Sequence, residues 1–342
     1  MALPLCRIRD PRWTKPAWVL QGASFQIVLD RPLCSTPSLL LEKEDDAIRL
    51  QMHGERIERD GGHVTYECTV PDSSPEGLYD LTVVEDGYRW RSPHAVAVCS
   101  EFSEAFRFVH ASDLHLLAPG GNGVLEDRSR LAEVLVAKIN VLRPDFVLYT
   151  GDLISRYGVE KAILPPETIE WQARRVQEIL LGLKVPVFVT TGNHDVAFKS
   201  SRAAWKRYMG GPWDRSTDDY SFDYGEYHFT ALDGFVHYDE IHGTSYRRSL
   251  TPEQCTWLEK DLRKAASSRL RVLFFHYDYQ HQIEPLVDLL AIDMLFYGHS
   301  KQRGPDRMGV REAVNANLSS GRAYRLVHVQ GDAVFVGPVE YV

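Results

Sequence analysis

The alternation of apolar and polar positions changes character about a third of the way along the chain. Up to about residue 104 the apolar residues come in short, partly alternating runs: "SFQIVLD", "AIRLQMHG", "HVTYECTV", "YDLTVVED", "YRWRS" and "AVAVCS". β-branched and aromatic side chains at period two, separated by turn clusters such as "PDSSPEG" and "RDGG", predict strands rather than helices. So many short strands in so short a stretch predict an all-β sandwich domain of immunoglobulin-like architecture over residues 1–104.

From "FRFVHASD" onward the period shifts. "DFVLYT", "VPVFVTT", "YHFTALD", "RVLFFHY" and "MLFYG" are apolar almost throughout, as strands buried on both faces are. Between them, apolar residues fall three and four apart. Leu131, Val134, Leu135, Ile139 and Leu142 mark one helix, closed by Pro144; Ile169, Ala173, Val176, Leu180 and Leu183 mark a second. "TPEQCTWLEKDLRKA" opens with a capping box, Thr251 as N-cap, Pro252 at the first helical position and Gln254 reaching back. Strand and helix in alternation predict a layered α/β domain over residues 105–342, closed by a hairpin from "AYRLVHVQ" and "AVFVGPVEYV".

Composition narrows the classes. A chain of 342 residues can fill two domain cores. Its net charge is −8 and no basic run stands out, so a surface tracking nucleic-acid phosphates is not indicated. No apolar stretch approaches the roughly 20 residues that cross a bilayer. The apolar segment of "MALPLCRIRDPRW" is too short for a signal peptide. Cellular location stays open, the cytoplasm by default and export where a leader has been removed. The five cysteines, Cys6, Cys34, Cys68, Cys99 and Cys255, show no zinc-site spacing and read either as free thiols or as disulfides. A homo-oligomer is left open.

The chemistry collects at strand ends, where open α/β sheets place their functional groups. Asp113 and His115 follow the first strand of the second half, and Asp152 follows "DFVLYTG". Asn193, His194 and Asp195 follow "VPVFVTTG", His276 follows "RVLFF", and His299 follows "MLFYG". Oxygen and imidazole donors without a thiolate suit a divalent metal, one or two ions of Mn, Fe or Zn. Gly151, Gly192 and Gly298 each precede a polar residue and are expected to serve sharp backbone turns.

"DLH", "GDLI", "GNHD", the lone His276 and "GHSK" together resemble the five signature blocks of the calcineurin-like metallophosphoesterase superfamily, from residue 106 to about 303. The resemblance implies a four-layer α/β/β/α core and hydrolysis of a phosphomonoester or phosphodiester by metal-bound hydroxide. It also implies roles. Asp113 and His115 would hold one metal, Asn193, His276 and His299 a second, and Asp152 would bridge them. His194 would contact the phosphate and protonate the leaving oxygen, and Asp195 would fix its imidazole. The family's GHxH block calls for a ligand histidine where Lys301 stands, and an ammonium cannot ligate. Lys301 then either swings away, or replaces a cation and meets Asp113 or the substrate phosphate, or marks a lost activity. In that last case the chain would be a non-catalytic metal-containing protein binding a phosphate ligand or a partner.

Lesser candidates have structural readings beside them. His237 and His242 are replacement ligands or surface residues. Arg128 and Arg130 meet phosphate or solvent. Tyr220, Trp213 and the "YQHQ" segment of Tyr279–Gln282 edge the substrate or fill the core, and His110 reads as structural.

Overall fold

The computed structural model describes residues 8–32, 37–44, 46–57, 63–120, 123–196, 199–210, 218–233, 238–239, 244–245, 250–277, 280–299, 312–315 and 323–342. Lys301, His237, His242, Trp213 and Tyr279 lie outside these residues. The chain divides into two compact units, Met1–Phe102 with Lys184–Phe188, and Ser103–Leu183 with Val189–Val342.

The first unit is built from strands. One sheet runs in the order Ile8–Asp10, Ser24–Leu29, Val64–Thr69, Gln51–Ile57; the other runs Ala17–Leu20, Tyr88–Cys99, Gly77–Glu85, Ser38–Lys43, Asp46–Arg49. A single buried apolar cluster draws on both, with Ile27, Leu29, Val64 and Tyr66 from one and Leu39, Leu41, Leu81, Val83 and Val96 from the other. Two expectations change in detail. "AIRLQMHG" is two strands in different sheets, parted at Leu50, whose N–H bonds the Leu39 carbonyl. "YRWRS" and "AVAVCS" form one strand, Tyr88–Cys99; its pairing with Gly77–Glu85 shifts register between Tyr79 and Leu81, and His94 takes a φ of 47°. A bulge of this kind breaks the period-two pattern without ending the strand.

The described residues after Phe102 carry two five-stranded sheets. The first has the order Val187–Thr190, Phe146–Thr150, Ala105–Ala111, Ala323–Gln330, Ala333–Tyr341, and the closing hairpin pairs antiparallel to Ala105–Ala111 through Ala323–Gln330. The second has the order Tyr220–Tyr224, Tyr227–Leu232, Leu270–Phe275, Met294–Tyr297, Glu312–Asn315. The two meet through aromatic rings: Phe108 lies 5.9 Å from Phe229 and 5.3 Å from Phe296, and Phe106 lies 4.5 Å from Tyr224. Such pairs add edge-to-face and offset attraction to the apolar area they bury. Every residue of Phe146–Thr150 and of Met294–Tyr297 is buried, as their unbroken apolar runs require.

The helices follow their periodicity. Ser129–Leu142 ends at Arg143, left-handed at φ 49°, just before Pro144. Pro166–Leu180 buries Ile169, Ala173 and Val176. Pro252–Lys264 has the expected capping box, with Gln254 N–H donating to Thr251 Oγ1 at 3.1 Å and Thr251 N–H to Gln254 Oε1 at 3.0 Å. No helix among the described residues is long and apolar enough to cross a membrane.

Candidate metal centre

The strands Ala105–Ala111, Phe146–Thr150, Leu270–Phe275 and Met294–Tyr297 end side by side, and the residues just beyond them converge. Four of these residues have left-handed backbones: Asp113 at φ 56°, His115 at 44°, Asp152 at 53° and His299 at 61°. Asp and His enter this region more readily than β-branched residues, and its clustering at one place marks a built site.

Asp152 is the hub. Its Oδ2 lies 3.2 Å from His276 Nε2 and 3.6 Å from His115 Nε2, and its Oδ1 accepts the His194 N–H at 2.8 Å. Two sets of donor atoms share it, His115, Asp152 and His194 in one, Asp152, His276 and His299 in the other. Asp113 stands close by, with Oδ1 3.7 Å from His115 Nε2. Its Oδ2 accepts the Ser112 hydroxyl at 2.5 Å and the His299 N–H at 3.0 Å. Asn193 is buried, and its Oδ1 has no hydrogen-bond partner among the described residues. A buried carbonyl oxygen left in that state costs free energy that an ion would recover.

The histidine hydrogen bonds fix which nitrogen faces the cluster. His276 Nδ1–H donates to the Thr150 carbonyl at 2.7 Å, so Nε2 faces Asp152. His115 Nδ1 meets Ser155 Oγ at 3.3 Å, again turning Nε2 inward. An outer-shell acceptor on the second ring nitrogen is the usual support of a ligating imidazole. His194 is reversed. Its Nδ1 accepts the Arg156 N–H at 3.1 Å, which leaves Nε2 as the protonated, donating nitrogen.

Electrostatics follow the same division. Burial opposes charge on His276, yet Asp152 and Asp113 raise its pKa to about 9. Burial also opposes charge on His115, and Asp113 and Asp152 raise it nonetheless. The cluster draws positive charge to the nitrogens that face it, as a cation site should. Burial, with His115 and Arg156 adding to it, lowers His194 to about 3, so its ring is neutral. Asp152 is held well below the usual carboxylate range by His276, against its burial.

Two expectations need correction. Asp195 does not fix the His194 imidazole. It is fully buried, and its oxygens accept the N–H groups of Asp152 and Gly192, each at 2.8 Å, and of Ile154 at 3.1 Å. It ties the Asp152 loop to the "GNHD" turn, and burial with Asp152 nearby lifts its pKa to about 7. The glycines also differ in kind. Gly151 does adopt φ 80°, but Gly192 and Gly298 are required by close approach. A Cβ on Gly192 would lie 2.2 Å from Asp152 N, and one on Gly298 would lie 2.0 Å from Ser112 Oγ.

A cavity of about 700 Å³ opens beside His115 and His194, lined also by Arg128, Ser155, Tyr157 and Lys161. The sequence reading missed Ser155, Tyr157 and Lys161. It also missed Gln172, wholly buried on the second helix, whose Oε1 accepts the Ser155 and Leu117 N–H groups at 2.8 and 3.3 Å. A polar residue on the stripe of Ile169, Ala173 and Val176 was the signal that could have found it. Among the lesser candidates, His110 is buried against Thr150 Oγ1 and Tyr220 bonds the Val189 carbonyl. The side chain of Arg130 is 86% exposed, and Gln282 holds the Leu250 backbone.

Comparison with known proteins adds the decisive observation. The family model described as calcineurin-like phosphoesterase matches residues 106–303, more than half of the chain. The chain belongs to that family. Among solved structures it is similar to a Bacteroides fragilis NCTC 9343 protein provisionally described as an alpha-galactosidase/melibiase, at 11% identity and a TM-score of 0.23. That match covers 85% of this chain and 56% of the other, and a likeness so slight carries no argument. Family membership joins the converging strand ends to a phosphoester substrate and divalent metals.

Proposed function

We propose that the chain is a hydrolase that cleaves a phosphomonoester or phosphodiester with one or two divalent ions held around Asp152. The observation that carries the reading is the sharing of Asp152 between two groups of donor atoms, one of which includes the oppositely oriented His194. Two like-charged ions placed near one another repel, and a shared carboxylate offsets that repulsion. Asp113 and His115 would hold one ion and Asn193, His276 and His299 the other. When bound, such ions polarise phosphoryl oxygens and lower the pKa of water. His194, neutral with its proton on Nε2, would hydrogen-bond the phosphoryl group and pass that proton to the departing oxygen. Ser155, Thr150 and Ser112 hold the ligand set in register, and Asp195 locks the two loops together. Lys301, which follows His299 by two residues, would meet the substrate phosphate.

Residues 1–104 we read as the β-sandwich domain and the two facing five-stranded sheets as the inner layers of an α/β/β/α core. The test is hydrolysis of bis(p-nitrophenyl) phosphate with added Mn²⁺. Turnover by the wild type, lost in Asp152→Ala, supports the reading. Inactivity across Mn²⁺, Fe²⁺ and Zn²⁺, with mono- and diester substrates alike, favours the non-catalytic binding protein.

A further inference from the structure

Gln172 sits on the buried stripe of the helix Pro166–Leu180, with Ile169, Ala173 and Val176. Its exposure is 0%. An amide withdrawn that far from water costs free energy unless its hydrogen bonds are made inside. They are made to two loops of the metal centre. Its Oε1 accepts the Ser155 N–H at 2.8 Å and the Leu117 N–H at 3.3 Å, and its Nε2 donates to the Ser155 carbonyl at 2.9 Å.

The two bonds to Oε1 satisfy loop N–H groups, as any buried loop requires. The third bond reaches further. The Ser155 carbonyl and the Arg156 N–H belong to one peptide unit, which is planar and turns as a whole. That N–H donates to His194 Nδ1 at 3.1 Å. A continuous chain therefore runs from Gln172 Nε2–H to the Ser155 carbonyl, and on from the Arg156 N–H to the His194 ring. A bond at the carbonyl polarises the peptide and strengthens donation by its N–H.

The same clamp sets Ser155 Oγ, which lies 3.3 Å from His115 Nδ1. The His115 and His194 rings stand edge to face, with centroids 4.6 Å apart. One buried amide thus bears on both rings. Without it the Ser155–Arg156 peptide plane is free to tilt, and its N–H then leaves Nδ1. A ring that loses that donor can carry its proton on either nitrogen, and Nε2 is no longer assured of it.

We propose that Gln172 is a positioning residue for proton delivery. Through the Ser155–Arg156 peptide it holds His194 Nδ1 as an acceptor, so that Nε2 keeps the proton meant for the leaving oxygen. The use of that proton rests on the phosphoesterase reading above; the hold of Gln172 on the ring does not.

Two readouts on Gln172→Leu, kept below its melting transition, test the inference. The first is nuclear magnetic resonance of metal-free protein labelled with ¹⁵N-histidine, the His194 ring being identified by His194→Gln. Wild-type His194 should carry its proton on Nε2 and show Nδ1 as a hydrogen-bond acceptor. Gln172→Leu should move Nδ1 toward its unbonded position or bring in the other tautomer. The second readout is turnover with Mn²⁺ of bis(p-nitrophenyl) phosphate and diphenyl phosphate, or of the matching monoesters. Nitrophenolate departs readily without a proton, and phenolate gains from one. In Gln172→Leu, kcat for the phenyl ester should fall about tenfold further than for the nitrophenyl ester, whereas lost metal or lost folded protein slows both alike. Unchanged His194 resonances, or equal slowing of the two esters, overturns the inference. Should Gln172→Leu not fold, the isosteric Gln172→Glu decides, since its carboxyl can donate to the Ser155 carbonyl only while protonated. A His194 resonance that moves as that carboxyl ionises, with wild type steady over the same pH range, supports the inference, and one that stays put overturns it. Inactivity of the wild type on every ester would overturn the phosphoesterase reading instead, with the ring resonances still deciding the hold of Gln172.

Discussion

Gly192→Ala adds a single methyl group at the seam between the Asp152 loop and the "GNHD" turn. The new Cβ would lie 2.2 Å from Asp152 N, 2.2 Å from Asp152 Oδ1 and 2.8 Å from its Cγ. Two of these atoms belong to a fully buried carboxylate and the third is backbone, so no flexible side-chain end can swing aside. The two loops must part by roughly 1 Å to reach ordinary carbon–nitrogen contact. That movement breaks or lengthens the bonds from Asp152 N–H to Asp195, from Gly192 N–H to Asp195 and from His194 N–H to Asp152 Oδ1, each now 2.8 Å. Weakening charged, buried hydrogen bonds at about 1.5 kcal/mol each, with overpacking strain added, gives a loss on the order of 4 kcal/mol. The matched control is Gly331→Ala, where φ is 58° and nothing lies within 4 Å of the added Cβ. Its cost is left-handed strain alone, about 1 kcal/mol. Thermal unfolding of both variants checks the difference, with Gly192→Ala melting roughly 10 °C lower than wild type and the control only a few degrees lower. A Gly192→Ala protein no less stable than the control would refute the argument from close approach.

Three further outcomes follow from the packing. His228 is nearly buried, with Nδ1 2.6 Å from Asp223 and Nε2 3.0 Å from Asp261; burial opposes its charge, yet these carboxylates raise its pKa to about 9. Its stabilisation is then full below pH 6.5 and lost as pH rises through 9, at most ~3 kcal/mol, so His228→Gln should flatten urea-measured stability across that window; an unchanged slope would count against it. Gln172→Leu keeps the volume but strands the Ser155 N–H and carbonyl and the Leu117 N–H, and thermal melts should show a loss of about 3 kcal/mol or more. Thr251→Ala removes one half of the capping box and should cost about 1 kcal/mol by urea denaturation.

How much of this was legible beforehand depends on the range of the interaction. The helix over Ser129–Leu142, the capping box at Thr251 and the closing hairpin are written in local spacing, and local spacing sufficed. The convergence of Asp113, His115, Asp152, His276 and His299 was legible as well, because each follows an apolar run whose end must lie at one edge of a sheet. What was hidden depends on through-space contacts. The division of "AIRLQMHG" at Leu50 reflects which sheet each half joins, and its residue pattern is silent on that. Asp195 follows His194 directly, which suggested a partnership; in the folded turn its carboxylate points back at three backbone N–H groups instead. Gly192 and Gly298 looked like turn glycines, whereas their neighbours across the loop leave no room for a Cβ. Gln172 and Lys161 belong to the same group, since a buried amide spanning two loops and a lysine on a left-handed turn have no motif.

The claim on which all else rests is that Asp152 anchors a divalent-metal centre. Equilibrium dialysis of the purified chain against Mn²⁺, followed by elemental analysis, tests it directly. The account predicts one or two equivalents bound by the wild type and none retained by Asp152→Ala. Uptake that is the same in both proteins, or absent from the wild type, would contradict it.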